Sequence, residues 1–382
     1  NPKKWIGGRA NNDSFYNTNI VTGAGIGRKV KDILLFKLAQ ELGVETNEFE
    51  VNPAYSQILE KTSRVDILKM MDKLREEYSK LSNNSALKHS TFSQFAQSVL
   101  GEEIYKKFIV SAGYTDYENE DVSETLYFYG MEDNACCWKS FGISWKNLVQ
   151  KLCNYIGQEN IKSSSPVTKI TKVRDNPCIY MVDVEGGIKY FCNKIILATT
   201  IDTLRKLLPQ YPIYNQIEGQ PFLRLYGKFD ANSTEIMKKL VPGYMFLTGP
   251  LQKIIPMDAN KGVYMISYND NKNTIAFKDY LTNTEINRIM YSRLLEKAFG
   301  LPKDTLKLLS IKDYYWDIGT HYYKPLDTKT YSSREQFVNK AQHPESCILV
   351  VGEVVSRDQG WVEGALDSVN KGLNKKWIDN VC

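Results

Sequence analysis

The spacing of apolar residues changes several times along the chain, and each change marks a different kind of element. Val30, Leu34, Leu35, Leu38 and Leu42 recur at helical intervals and predict a helix from Lys29 to Leu42, stopped by Gly43. Residues 53–112 read as a helical block. Ile67, Met71, Leu74 and Tyr78 share one face there, and Thr91 with Gln94 three residues on forms a capping box for a helix that ends at Gly101. Ile143 to Tyr155 is helical again. The pattern then turns to strands: Pro166–Ile170, and a hairpin of Ile179–Val184 and Ile188–Cys192 around Glu185-Gly186-Gly187. Ile195–Thr199 and Cys347–Val351 are continuous apolar runs, as expected of strands buried on both faces. Residues 213–330 mix strands, helices and many aromatics, and a last helix starts near Trp361. Strand-then-helix units at both ends, with a different texture between, predict one α/β domain assembled from distant segments and a second domain inserted into it.

Composition narrows the class. The 382 residues are 42% hydrophobic and 24% charged, which suits a globular chain with a sizeable core. The 49 basic and 44 acidic residues give +5, without the dense basic stripe a nucleic-acid surface needs; Lys371, Lys375 and Lys376 read as a solvated helix face. None of the 7 cysteines is arranged for zinc, and Cys136 and Cys137 are adjacent and do not easily pair with each other, so reduced thiols in a cytoplasmic setting are expected. No run approaches a membrane span and no signal peptide is visible. The first residue is Asn1 rather than Met, which leaves room for sequence upstream.

Three glycine-bearing segments carry candidate chemistry. Gly23-Ala24-Gly25-Ile26-Gly27 is similar to a dinucleotide turn, but Arg28 stands where a third glycine would fall; a tight turn without a ligand is the plain alternative. Gly7-Gly8-Arg9 offers bare backbone N–H groups beside a guanidinium able to neutralise phosphate. In the third, a buried strand ends at Gly352-Glu353 and a helix begins at Gly360-Trp361-Val362-Glu363-Gly364-Ala365. A carboxylate there suits the hydroxyls of a ribityl or ribose chain, and a helix start favours negative charge.

Together these segments resemble the flavin-containing amine oxidase superfamily of monoamine oxidases, polyamine oxidases and histone lysine demethylases. The resemblance runs in order from Ile6 to Trp377, with the C-terminal GE…GWVEGA its most specific part. It implies an α/β FAD-binding Rossmann-like domain, incomplete at its N-terminus, formed by 1–52, 141–212 and 331–382. A second, α+β substrate domain with a helical insertion would be formed by 53–140 and 213–330. It implies non-covalent FAD held by Gly7, Gly8, Arg9, Gly23, Ala24, Gly25, Ile26, Val167, Gly352, Glu353, Trp361, Val362 and Ala365, and no metal. Thr320 takes the place of the cysteine that monoamine oxidases join to FAD. The family's opening strand-GxGxxG-helix unit, roughly 30 residues, is not in this sequence, which starts just before Gly7.

The resemblance also assigns chemistry: a small-molecule amine loses a hydride from its α-carbon to flavin N5, and oxygen reoxidises the flavin. Trp361 would face the ring. His321 stands where a second aromatic does, able to tune amine protonation. Arg224 replaces a lysine that holds a water near N5, with a structural salt bridge as the alternative. The tract Tyr114–Asp121 is acidic, readable as a lure for a cationic substrate or as a solvated face. An inactive scaffold, or another FAD oxidoreductase of desaturase or porphyrinogen oxidase type, are the competing readings.

Overall fold

The computed structural model describes residues 5–134 and 137–379. Its largest element is a six-stranded mixed sheet in the order Leu308–Tyr323, Ile217–Phe229, Val263–Asp270, Lys253–Asp258, Met245–Phe246, Ala54–Tyr55. Side chains alternate across a strand, and Ile217–Phe229 uses both faces. Leu223, Leu225 and Phe229 pack into a core with Tyr291 and Leu295 of helix Glu285–Phe299 and Met237 of helix Ala231–Leu240. Arg224 and Tyr226, on the opposite face, donate to the carbonyls of Gly23 and Val21. The sheet thus presents one polar edge of its face to the glycine-bearing segments near the N-terminus.

The pairing of Ile217–Phe229 with Leu308–Tyr323 shifts between Gln220↔Thr320 and Phe222↔Trp316. Pro221 sits at the shift and has no N–H to give the ladder. Asp317, Ile318 and Gly319 bulge out opposite it, which turns the Gly319 carbonyl to the Arg9 guanidinium.

The other half is built around two short parallel strands, Ile195–Leu197 and Ile348–Val350, paired Ile195↔Ile348. Helix Val362–Gly372 follows the second and lies against helix Ile33–Glu41. Glu363 fixes that contact: its carboxylate accepts from the N–H groups of Leu34 (2.7 Å) and Leu35 (2.9 Å) and so caps the neighbouring helix. Leu35, Ala39, Phe141, Trp145 and Leu148 fill the space between, with Trp361, Val362 and Leu366 against them. The predicted strand and hairpin form a three-stranded antiparallel sheet, Val167–Asp175, Cys178–Val184 and Lys189–Cys192. The helical block has its own core, with Met71, Leu74, Phe92, Phe95 and Phe108 buried, and its capping box closes as predicted (Gln94 N to Thr91 Oγ1, 3.3 Å).

Four expectations are corrected. The first helix begins at Ile33, because Asp32 turns its carboxylate back onto the Arg28 N–H (2.6 Å) and guanidinium (2.7 Å) and leaves Val30 exposed. Ala54–Tyr55 is a strand, and the helical block starts only at Gln57, capped by Ser56. Ile143 ends a strand, with Ser144 capping the helix Trp145–Ile156. The chain is not fully reduced: Cys153, Cys178 and Cys192 are free, but Cys137 is in a disulfide, and so is Cys347. Cys136 lies outside the described residues. No described helix is long and apolar enough to cross a membrane.

Candidate active site

The two N-terminal glycine clusters lie side by side. Ala24 N–H donates to the Arg9 carbonyl (2.8 Å) and Thr22 N–H to that of Asn11 (3.0 Å). A Cβ on Gly23 would fall 2.4 Å from the Arg9 oxygen, so only glycine allows this approach. Gly7 and Gly8 have φ of 103° and 55°, and nothing lies within 4 Å of where a Gly8 Cβ would be. Gly23–Gly27 is not a strand-turn-helix phosphate loop, since the next helix waits until Ile33.

The C-terminal motif closes onto this pair of segments. Arg9 Nη1 lies 3.2 Å from Glu353 Oε1, and the Gly360 N–H donates to Glu353 Oε2 at 3.1 Å. Ile201 N–H donates to His321 Nε2 (3.1 Å), and the His321 Nδ1–H donates to Glu353. Burial alone would raise the Glu353 pKa. The His321 ring, the Arg9 guanidinium and the Gly360 amide override it and hold the carboxylate below its usual range. Both His321 nitrogens are engaged, which leaves none for a substrate amine.

Trp361 is the N-cap of helix Val362–Gly372, and no side chain among the described residues caps the helix's first turn. Its indole donates to Asp32 Oδ2 (2.9 Å) and meets Trp145 edge-on, centroids 6.1 Å apart; Trp145 in turn donates to the Gly25 carbonyl (2.8 Å). Val362 packs in the same core, Ala365 N–H bonds back to Trp361, and Gly352 N–H donates to Ser368 Oγ (2.7 Å). Arg224 is buried, stacked 4.2 Å from the Tyr268 ring centroid, with its guanidinium 3.1 Å from a Cβ built on Gly25. It has no carboxylate partner among the described residues, so the salt-bridge alternative does not hold. Ile26 continues the glycine segment between Gly25 and Gly27, while Val167 is exposed on the separate three-stranded sheet, paired with Val184. No described hydrogen bond joins Val167 to the others.

A family model for flavin containing amine oxidoreductase matches residues 3–368. The chain belongs to this family. Among solved structures it is similar to a triple mutant of putrescine oxidase (TM-score 0.71, 12% identity, 97% of this chain and 91% of that one). It is also similar to wild-type putrescine oxidase bound to putrescine (0.70, 12%, 96% and 90%) and to cyclohexylamine oxidase from Brevibacterium oxydans IH-35A (0.66, 14%, 93% and 86%). At these identities the likeness is one of fold. No curated protein matches the sequence.

Membership makes the chain an oxidoreductase of the flavin type, and its residues fit that cofactor. The open backbone at Gly8, the uncapped helix start at Val362 and the buried anion of Glu353 offer donors and an acceptor in one place. Beside them a crevice is lined by Asp116, Glu120, Tyr129, Gln220, His321 and Gly360, with a cavity volume of ≈ 20 Å³, room for one water-sized group.

The acidic wall of this crevice comes from the Tyr114–Asp121 tract, which is not a solvated face: Asp116, Glu120 and Asp121 are all buried. Burial, and then the like charge of Asp270, push Asp116 up to about 7, although Tyr129 and Lys253 pull it down. Burial also raises Glu120. Asp270 accepts from Thr115 N–H (2.9 Å), Thr115 Oγ1 (2.7 Å), Asp116 N–H (3.3 Å) and Gln252 (3.1 Å). Lys253, buried and donating to the Gly113 carbonyl (2.6 Å), lies against Tyr268 and is held well below the usual lysine range by burial. Sequence reasoning missed Asp32, Lys253 and Asp270. Each is one charged residue in an ordinary stretch, and only the sheet's register brings the last two beside Asp116.

Proposed function

We propose that this oxidoreductase dehydrogenates a small amine, with FAD held non-covalently between the Gly7–Arg9 loop and the start of helix Val362–Gly372 and reoxidised by oxygen. The observation that carries the reading is the Arg9–Glu353–Gly360 junction, which joins both flavin-type motifs at the mouth of an acid-lined crevice. Arg9 would offset phosphate charge, Glu353 would accept from sugar-chain hydroxyls, and the free N–H groups at Val362 would face the electron-rich end of the ring. Bound there, FAD supplies the hydride acceptor. Arg224 adds a buried positive charge beside Gly25, suited to the charge a reduced ring carries. His321 positions Glu353 rather than touching the amine, and Trp361, tied to Asp32, walls the site against water. Thr320, whose methyl lies 3.9 Å from a Cβ built on Gly360, has no thiol to form a covalent link. The crevice sets the carboxyl groups of Asp116, Glu120 and Glu124 against one guanidinium, Arg357, a balance that favours a cation over an anionic substrate.

The test is a visible spectrum of the full chain expressed with added FAD. The expected result is a yellow protein whose flavin is released by acid denaturation, bleaches when spermine or a monoamine is added without air, and regains colour in air. A colourless protein that takes up no FAD ends the proposal. Colour that no amine bleaches removes the amine part of it.

A further inference from the structure

We propose that Asp116 is a catalytic proton acceptor: the crevice takes the substrate's ammonium between the Gln220 side-chain oxygen and the Asp116 carboxylate, and Asp116 removes its proton before oxidation. This rests on the reading that the crevice receives the amine.

Two independent observations meet there. Gln220 is only 5% exposed, yet its Oε1 has no hydrogen-bond partner among the described residues, while its Nε2 is spent on the Asp116 carbonyl (2.8 Å) and Thr320 Oγ1 (3.3 Å). An unpaired buried acceptor is costly unless a donor arrives, and Gln220 lines the crevice. An ammonium is a water-sized donor, which matches the space. The second observation is the setting of Asp116. Its carboxylate takes one side-chain hydrogen bond, from Tyr129, and lies in the same crevice as Gly360, two residues before the flavin-type helix start. Facing it are Asp270 and Lys253 from the large sheet, Tyr268 from the same strand as Asp270, and Tyr117, Glu120 and Tyr129 from its own segment, while Glu124 and Arg357, paired with each other, line the same crevice. Asp270, fixed by four donors, is the like charge that raises the proton affinity of its neighbour.

The step balances simply. An N–H bond of the ammonium breaks and its electron pair stays on nitrogen. The proton bonds to an Asp116 oxygen, so a cation and an anion become a neutral amine and a neutral acid. That exchange is favoured where water is scarce. Only the neutral amine has the lone pair that hydride loss from its α-carbon requires. A base with a proton affinity near neutrality suits this work.

Two measurements test it. In the flavin-loaded chain, kcat/KM for n-hexylamine should fall below an acidic limb near neutrality. Asp116→Asn should lower it roughly a hundredfold at neutral pH, with the loss shrinking at each pH step toward the amine's own pKa. A mutant profile parallel to that of the wild type overturns the proposal. Infrared titration of the chain with isotope-labelled aspartate reads Asp116 without any activity, in wild type and, by difference, in the variant. A protonated aspartate band that persists to near-neutral pH and is absent from Asp116→Asn supports the proposal; its loss in the ordinary carboxylate range overturns it. If the variant does not fold, the wild-type band decides alone. Bleaching by hexylamine with no such band would sink this proposal and leave amine oxidation standing.

Discussion

Glu353 and Asp116 are carboxylates buried to nearly the same degree, 6% and 8% exposed, and their proton affinities move in opposite directions. Burial raises both, so burial does not distinguish them. Around Glu353 the fixed neighbours are donors: the Arg9 guanidinium, the His321 Nδ1–H and the Gly360 amide. Around Asp116 the chain supplies one phenol, a second carboxylate that raises its proton affinity, and Lys253, whose opposing pull does not outweigh burial and Asp270. One site holds a negative charge firmly, and the other holds a proton loosely enough to exchange it near neutrality; the proposed cradle and proton acceptor rest on that contrast.

The largest expected effect comes from breaking the first site. Glu353→Leu leaves Arg9 facing an apolar group and His321 without its acceptor. Leaving the buried His321 Nδ1–H without an acceptor costs about 1–3 kcal/mol, and the partly exposed Arg9 adds less. A melting curve should show the loss, and FAD should no longer co-purify; a variant that melts like wild type and keeps its flavin would show that the cradle lies elsewhere. Asp116→Asn should act with the opposite sign. It removes a charge the fold resists, so at about pH 8 it should stabilise by on the order of 1 kcal/mol. A lower melting temperature there would break the comparison.

The pH dependence sharpens it. Glu353 has a lowered folded pKa, so its stabilising contribution is present above the unfolded value, about 4.3, and is lost as pH falls through the folded one. Asp116 has a raised folded pKa. Its contribution is present below the unfolded value, about 3.9, and is lost as pH rises to about 7. Urea denaturation of wild type and Asp116→Asn between roughly pH 4 and 8 should therefore give curves that diverge as pH rises, with the variant increasingly favoured. Parallel curves would mean Asp116 titrates alike in both states.

How much of this the sequence shows follows the same division. The Glu353 side is written in short runs: Gly7-Gly8-Arg9, Gly23–Gly27 and Gly352–Ala365 each carry a local signal, and the structure joins them through Arg9, Gly23 and Glu353. The helices and hairpins with strong periodicity were equally plain, down to the Thr91 capping box. Boundaries failed where a single side chain overrules periodicity, as Asp32 does by folding back on Arg28. The Asp116 side was not legible. Its acidic tract looks like a solvated face because nothing local says that it will be covered, and Asp270, Lys253 and Gln220 reach it only through strand pairings more than a hundred residues away in sequence. His321 shows the intermediate case: its position near the site was readable, but its use of both nitrogens depends on Ile201 and Glu353.

The smallest effect probes the side-chain donor that Asp116 has among the described residues. Tyr129→Phe removes the phenol O–H that donates to Asp116 and leaves the ring, which packs edge-on against Tyr117 at 5.2 Å. A hydrogen bond to a neutral acid is worth about 1 kcal/mol, and one to a charged carboxylate about 1.5–3 kcal/mol. The cost of the substitution should therefore grow with pH, from about 1 kcal/mol at pH 5 to roughly 2 kcal/mol at pH 8. The acidic limb of any activity should move upward with it, because Tyr129 is among the groups that lower the Asp116 pKa. Equal costs at both pH values would mean that the carboxyl does not change charge between them, and the contrast with Glu353 would lose its chemical basis.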